Sequence, residues 1–159
     1  MAEALGKSAL KIQEELNKYD LELKVVTMQS STRTCVEAAN SIGCEVGQIV
    51  KSMIFRGKTT GIPVLIIASG NNRINEKKMK DYLGEVVSRP DANFVQETTG
   101  FAIGGIPPIG HLSKLKCLID ADLFDYNEVW AAAGTPFDVF RITPDQLATI
   151  TQGQIISVK

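Results

Sequence analysis

Cysteine, histidine and tryptophan are scarce here: three Cys, one His and one Trp among 159 residues. Cys35, Cys44 and Cys117 form no CxxC and cannot all pair, which fits a reducing, cytoplasmic compartment with small buried thiols. With a single histidine, a zinc site of the usual His/Cys type is not expected. Long apolar runs are missing too. The longest, around Ile62–Ala68, is strand-sized and far short of the roughly 18–20 residues a membrane span needs. The opening MAEALGKSALK has no apolar stretch before a cleavage site, so no secretory signal and no membrane partner are expected. Nor is there a charge excess: 17 Lys and Arg stand against 18 Asp and Glu, a net charge of −1. Gripping a long duplex takes one cation per neutralised phosphate, so DNA is not an expected partner. No GxSxG, Walker loop or GxGxxG occurs.

What is present is ordinary globular usage, with 44% hydrophobic and 22% charged residues. That length and composition predict one domain over 1–159. Ala9, Ile12, Leu16 and Tyr19 recur at helical spacing, predicting a helix over 8–19 capped by Ser8. Leu23–Thr27 is a short strand candidate. Thr34-x-x-Glu37 reads as a capping box for a helix that stops at Gly43. Gln48–Arg56 and Ile62–Ser69 read as strands joined through RGKTTG. Asn75 caps a charged helix ended by Gly84, Val86–Ser88 is a short strand, and Asp91 caps a helical turn. Strands follow at Leu115–Asp120, Glu128–Ala133, Phe137–Ile142 and Ile155–Val158, with Thr143-Pro144-Asp145-Gln146 opening a helix. The class is mixed α and β (α+β), with a curved, largely antiparallel sheet or partial barrel flanked by helices.

Lys51 shares a strand face with Ile49, Met53 and Phe55. An ammonium there is costly unless it meets an anion, carbonyls or a ligand. An edge-strand guard or a snorkelling side chain is the other reading of the same position. Gly100–Gly110, GFAIGGIPPIG, packs four glycines and two prolines into eleven residues and cannot be a regular element. Gly104-Gly105-Ile106-Pro107-Pro108 would let a ligand approach the backbone, whose N–H groups can hold a carbonyl oxygen; a plain structural turn is the alternative. His111 follows directly, as a structural residue or a catalyst. Asp120 and Asp122 read as a turn. Arg73 with Lys77, Lys78 and Lys80, and Lys114 with Lys116, are solvated faces or short contacts to the end of a nucleic acid.

Five segments occur in order: Thr32-Arg33-Thr34 with Glu37-Ala38-Ala39; Gln48-Ile49-Val50-Lys51-Ser52; Ala68-Ser69-Gly70-Asn71-Asn72-Arg73; Thr99 to His111; and Trp130-Ala131-Ala132-Ala133-Gly134-Thr135-Pro136. Together, over roughly residues 8–150, they resemble the YbaK family of free-standing aminoacyl-tRNA deacylases, related to the editing domain inserted in bacterial prolyl-tRNA synthetases. The resemblance implies hydrolysis of the ester joining a wrong small amino acid (Ala, Ser, Thr or Cys) to tRNA, usually the tRNA for proline. It places the family's lysine at Lys51 and its Gly-x-x-x-Pro loop at Gly104-x-x-x-Pro108, making Lys51, Gly104 and Gly105 the expected catalytic residues. Arg33, Ser69, Gly70, Ile106, Pro107, Pro108, His111, Gly134 and Thr135 are the expected substrate-binding set. No cofactor, metal or covalent nucleophile is implied; a water, or a hydroxyl or thiol on the substrate, attacks. The expected partners are the acceptor end of a mischarged tRNA and an aminoacyl-tRNA synthetase. A non-catalytic domain that binds an acceptor end, a nucleotide or a synthetase is the alternative.

Overall fold

The structure is a computed structural model and describes residues 5–159. Its elements run α1 (Lys7–Asn17), β1 (Val25–Thr27), α2 (Cys35–Ile42), β2 (Ile49–Gly57), β3 (Pro63–Ser69), α3 (Glu76–Leu83), β4 (Val87–Ser88), α4 (Ala92–Thr99), β5 (Lys116–Asp120), β6 (Val129–Ala132), β7 (Asp138–Ile142), α5 (Pro144–Thr151) and β8 (Gln154–Ile156). Eight strands form one sheet in the order β1-β7-β6-β2-β3-β5-β8, with β4 added beside β2. The sheet is mixed rather than largely antiparallel. β2 pairs in parallel with β6, β3 with β5, and β5 with β8; the hairpin-type pairs β2–β3 and β6–β7 are antiparallel. Each parallel pair joins strands far apart in the chain, and no local turn signal reports such a pairing.

Helix ends follow side-chain chemistry. The Thr34 hydroxyl accepts from the Glu37 N–H at 3.1 Å, and Gly43 closes α2 at φ +85°. Only that forward half of the expected capping box forms; a reciprocal box instead joins Glu45 and Gln48 around a 3₁₀ turn just before β2. Thr143 and Gln146 make the second full box at α5. α1 starts one residue earlier than expected, with Gly6 rather than Ser8 at its cap position. Asp91 caps a whole eight-residue helix, not a turn.

Both faces of the sheet are covered. From β2, Val50 and Ile54 join the main core with Leu65, Ile67, Ile119, Phe140 and the α1 residues Ile12 and Leu16. Phe55 enters a second core with Val64, Ile66, Leu118 and Met79 of α3. Ile49 packs against Ala38 and Ala39 of α2 in a third. At about 25 cal/mol per Å² of buried apolar area, these packed faces are what hold the short elements in place. Among the described residues no helix is long and apolar enough to cross a membrane.

Candidate functional site

A cavity of about 460 Å³ lies where β2 and β6 diverge, walled by the start of α2, by Val50–Met53 of β2, by Ile103, Gly104 and Ile106 of the Gly/Pro loop, and by Trp130–Ala132 of β6. Most of the wall is apolar. Two cations, Arg33 and Lys51, are set in it, and among the described residues no carboxylate lines it.

Lys51 reaches the wall as the period-two alternation of β2 requires. Its ammonium donates to the Asn72 carbonyl at 2.7 Å. That carbonyl is fixed from behind. The carbonyl is the main chain's, and the Asn72 side-chain Nδ2 holds the residue in place by donating to both Asp120 and Asp122 at 2.8 Å. Asp120 is 1% exposed and also accepts from the Ser69 N–H at 3.0 Å and the Asp122 N–H at 2.9 Å. So the pair read as a turn is the foundation of the lysine's anchor. An apolar strand ending in a carboxylate, Cys117-Leu118-Ile119-Asp120, is the only local sign of it. Asp122 titrates below the ordinary carboxylate range, because Lys159 and then Asn72 hydrogen-bond to it.

The Gly/Pro loop is pinned at several points. Gly104 has φ +101°, and a Cβ there would meet the Arg33 side chain at 2.9 Å, so the Arg33 stem lies against the loop. The Gly105 N–H bonds to the Ala102 carbonyl at 3.2 Å, and its own carbonyl accepts from Gly134 at 2.9 Å. A Cβ on Gly105 would sit 2.9 Å from the Thr135 main chain. The Thr135 hydroxyl donates to Asp138, which also accepts from Thr27. Gly105, Gly134 and Thr135 thus fasten the loop to the β6–β7 turn, and the Gly105 N–H is already engaged.

The other expected residues are placed elsewhere. The Ser69 hydroxyl donates to the Gly47 carbonyl at 2.7 Å, and Gly70 packs under the Val46 carbonyl, so both hold the 3₁₀ turn to the end of β3. His111 and Pro108 line a second hollow behind the loop, where the His111 Nε2 bonds to the Pro107 carbonyl at 2.7 Å. Burial holds the His111 ring below its ordinary pKa. Of the twelve expected residues, Lys51, Arg33, Gly104 and Ile106 line the cavity.

Cys35, Ser52, Met53, Trp130 and Ala132 line it as well and were not anticipated. They come from elements whose meeting depends on the parallel β2–β6 pairing. Cys35 is the first residue of α2; burial raises its thiol pKa while the nearby Lys51 charge works against the rise. Cys117, deep in the core, is pushed up to about 12 by burial. No His, Asp or Glu among the described residues borders the cavity. Among the described residues no three His, Cys, Asp or Glu side chains come together to hold a metal ion. What the wall does offer is two cations, main-chain groups and a small apolar hollow.

A family model described as an aminoacyl-tRNA editing domain matches residues 29–150. A solved structure described as a candidate trans-editing enzyme for prolyl tRNA synthetase superposes with a TM-score of 0.92 at 44% identity, covering 98% of this chain and 99% of that one. A candidate Cys-tRNA(Pro)/Cys-tRNA(Cys) deacylase of Enterococcus faecalis is 27% identical over 121 residues, 76% of this chain and 73% of that protein. The proline–tRNA ligase of Limosilactobacillus fermentum is 36% identical over 94 residues, which is 57% of this chain and 16% of the ligase.

Proposed function

This chain belongs to the aminoacyl-tRNA editing domain family, and from that membership we propose that it is a free-standing deacylase that clears mischarged tRNA on behalf of prolyl-tRNA synthetase. The ester it cleaves joins a small amino acid (Ala, Ser, Thr or Cys) to the tRNA for proline. The observation that carries this reading is the composition of the cavity wall: Lys51 on its anchored carbonyl, Arg33, a glycine loop, and no carboxylate among the described residues. Cations without acids suit the phosphate-bearing end of a tRNA, and with a net charge of −1 on the chain they serve a short contact with the acceptor end, not a long grip on the backbone.

Hydrolysis then needs little from side chains. A water, or a hydroxyl or thiol on the aminoacyl group, attacks the ester carbonyl. Negative charge gathers on the carbonyl oxygen, and main-chain N–H groups receive it. As the C–O bond breaks, the proton given up by the attacking group passes to the departing ribose oxygen. Attack by water leaves the free amino acid, and attack by the side chain leaves its cyclic ester or thioester. Lys51 orients the terminal nucleotide. Gly104, whose N–H is not engaged by another described residue, faces the acyl group, while Gly105 holds Gly104 in place. The apolar wall selects by size, where one methylene is worth about 1–3 kcal/mol, so activity on more than one small residue is expected. The test is a deacylation panel, with tRNA for proline charged in turn with Ala, Ser, Thr, Cys and Pro. Hydrolysis of one or more of the first four with Pro spared is the expected result. No hydrolysis of any of them, with tRNA still bound, would leave a binding domain in place of an enzyme.

A further inference from the structure

β2 and β6 run side by side in parallel only at Ile49–Val50 and Trp130–Ala131, and then part. The direction of the peptide groups in the gap follows from bonds made elsewhere on the two strands. The Gly70 N–H donates to the Ile49 carbonyl and the Gly57 N–H donates to the Ile62 carbonyl, so the odd-numbered residues of β2 face β3. Successive residues of a strand direct their peptide groups to opposite sides, so Ser52 faces the side of β6. On β6 the Ala133 N–H donates to the Asp138 carbonyl, which turns Ala133 toward β7 and Ala132 toward β2. The Ser52 N–H and the Ala132 carbonyl would form the next rung of a parallel ladder, but the ladder stops one residue short. The β2–β6 register pairs neither residue, and both border the cavity.

Ser52 adds a second sign. Its hydroxyl is buried with no partner among the described residues, while the residue as a whole keeps exposed surface. What it shows the cavity is therefore its main chain and Cβ. Main-chain groups in such a setting are ordinarily paired, and an open donor beside an open acceptor, one rung apart, asks for a complement carrying both. An α-aminoacyl ester carries them on adjacent carbons.

We propose that this broken rung seats the aminoacyl group: the Ser52 N–H donates to the ester carbonyl, and the Ala132 carbonyl accepts from the α-amino nitrogen. With Arg33 and Lys51 in the wall and no carboxylate among the described residues to offset them, the amine enters neutral rather than as ammonium. A free α-amino group titrates near 7.7–8.0, so the neutral form is within reach at physiological pH. The inference rests on the deacylase reading and adds which atoms are recognised.

The experiment compares three esters on the same tRNA for proline: alanyl, lactyl, whose hydroxyl keeps a neutral donor, and propionyl, which has none. Each enzymatic rate is divided by its spontaneous rate. Propionyl is expected to lose at least about tenfold relative to alanyl, and lactyl to stay within about threefold. Propionyl equal to alanyl would overturn the proposal, as would lactyl falling as far as propionyl, which would mean that charge is read instead of a neutral donor. Ser52→Pro removes the open N–H at a position with no ladder bond to lose, and is expected to cost at least about tenfold on alanyl ester; full activity would overturn the seat. A third arm stands apart from turnover. The Ser52 amide resonance of ¹⁵N-labelled protein should move on adding an alanyl-amide analogue of the terminal adenosine, and no movement refutes the seat. If the resonance moves while no aminoacyl-tRNA is hydrolysed, the deacylase reading fails and the seat stands.

Discussion

The cavity at the β2–β6 fork and the hollow behind it share the Gly/Pro loop and differ in nearly everything else. In front, Gly104 and Ile106 face an apolar space of about 460 Å³ with two cations. Behind, Pro108 to Leu115 border a wider cleft of about 920 Å³ whose wall is largely polar and carries Glu15 as well as Lys11. The rear also contributes fastenings: His111 on the Pro107 carbonyl, and Lys11 over the Phe101 ring at 5.2 Å. One stretch of chain thus borders a cavity on one side and carries its own supports on the other. If the loop holds an acyl group as proposed, such backing is what the role requires, because misplacement costs rate steeply. The two sides can be broken separately.

The largest expected effect comes from the joint between them. In Gly105→Ala the new methyl would lie 2.9 Å from the Thr135 main chain, and neither backbone can yield without moving the loop or the β6–β7 turn. Overpacking of this kind costs about 1–3 kcal/mol. Urea titration should show a lower midpoint with an unchanged slope, and deacylation should fall with it. Normal stability with normal rate would mean that the loop is not pinned there.

Lys51→Ala strikes the front alone. The side chain bonds to one carbonyl and supports no element of the core, so circular dichroism and the thermal midpoint should match wild type. Deacylation should fall at least about tenfold, or about 1.4 kcal/mol of transition-state stabilisation. An unfolded variant, or one with full turnover, removes the lysine from the proposed site.

How much of this contrast was visible in the chain depends on distance. Lys51 stood out because strand alternation is a local rule and its neighbours Ile49, Met53 and Phe55 are apolar. Capping residues Thr34, Asn75, Asp91 and Thr143 were legible for the same reason: donor and acceptor lie three residues apart. The anchor behind Lys51 was not legible, since Asn72 meets Asp120 across 48 positions, and the carboxylate at the end of an apolar strand does not say which residue it meets. Nor was the cavity wall. Cys35, Ser52 and Trp130 come together only because β2 and β6 pair in parallel, a contact set by the whole sheet. The motif resemblance pointed to a loop that does border the cavity, but it grouped Gly104, which lines the cavity, with Gly105, which fastens the loop to the β6–β7 turn. That distinction rests on which N–H groups are already engaged.

The smallest effect should appear at the rear, in the pH dependence of stability. His111 is half-buried behind the loop, and burial, with Lys11 close by, lowers its pKa from the ordinary 6.5; the bond to Pro107 opposes that shift only in part. A base with a depressed folded pKa binds its proton more readily in the unfolded chain. Above about pH 6.5 both states leave the ring neutral and the native contacts are retained in full. As pH falls below that value the unfolded state takes up the proton first, and stability drops until the lowered folded pKa is passed. Denaturant midpoints at pH 7.5 and pH 5.5 should therefore differ, and His111→Gln should narrow the difference. The Lys51→Ala variant should keep it, because the two residues lie on opposite sides of the loop. If His111→Gln leaves the pH dependence unchanged, other groups produce it. If Lys51→Ala abolishes it, the front and rear of the loop are coupled more tightly than their separate fastenings imply.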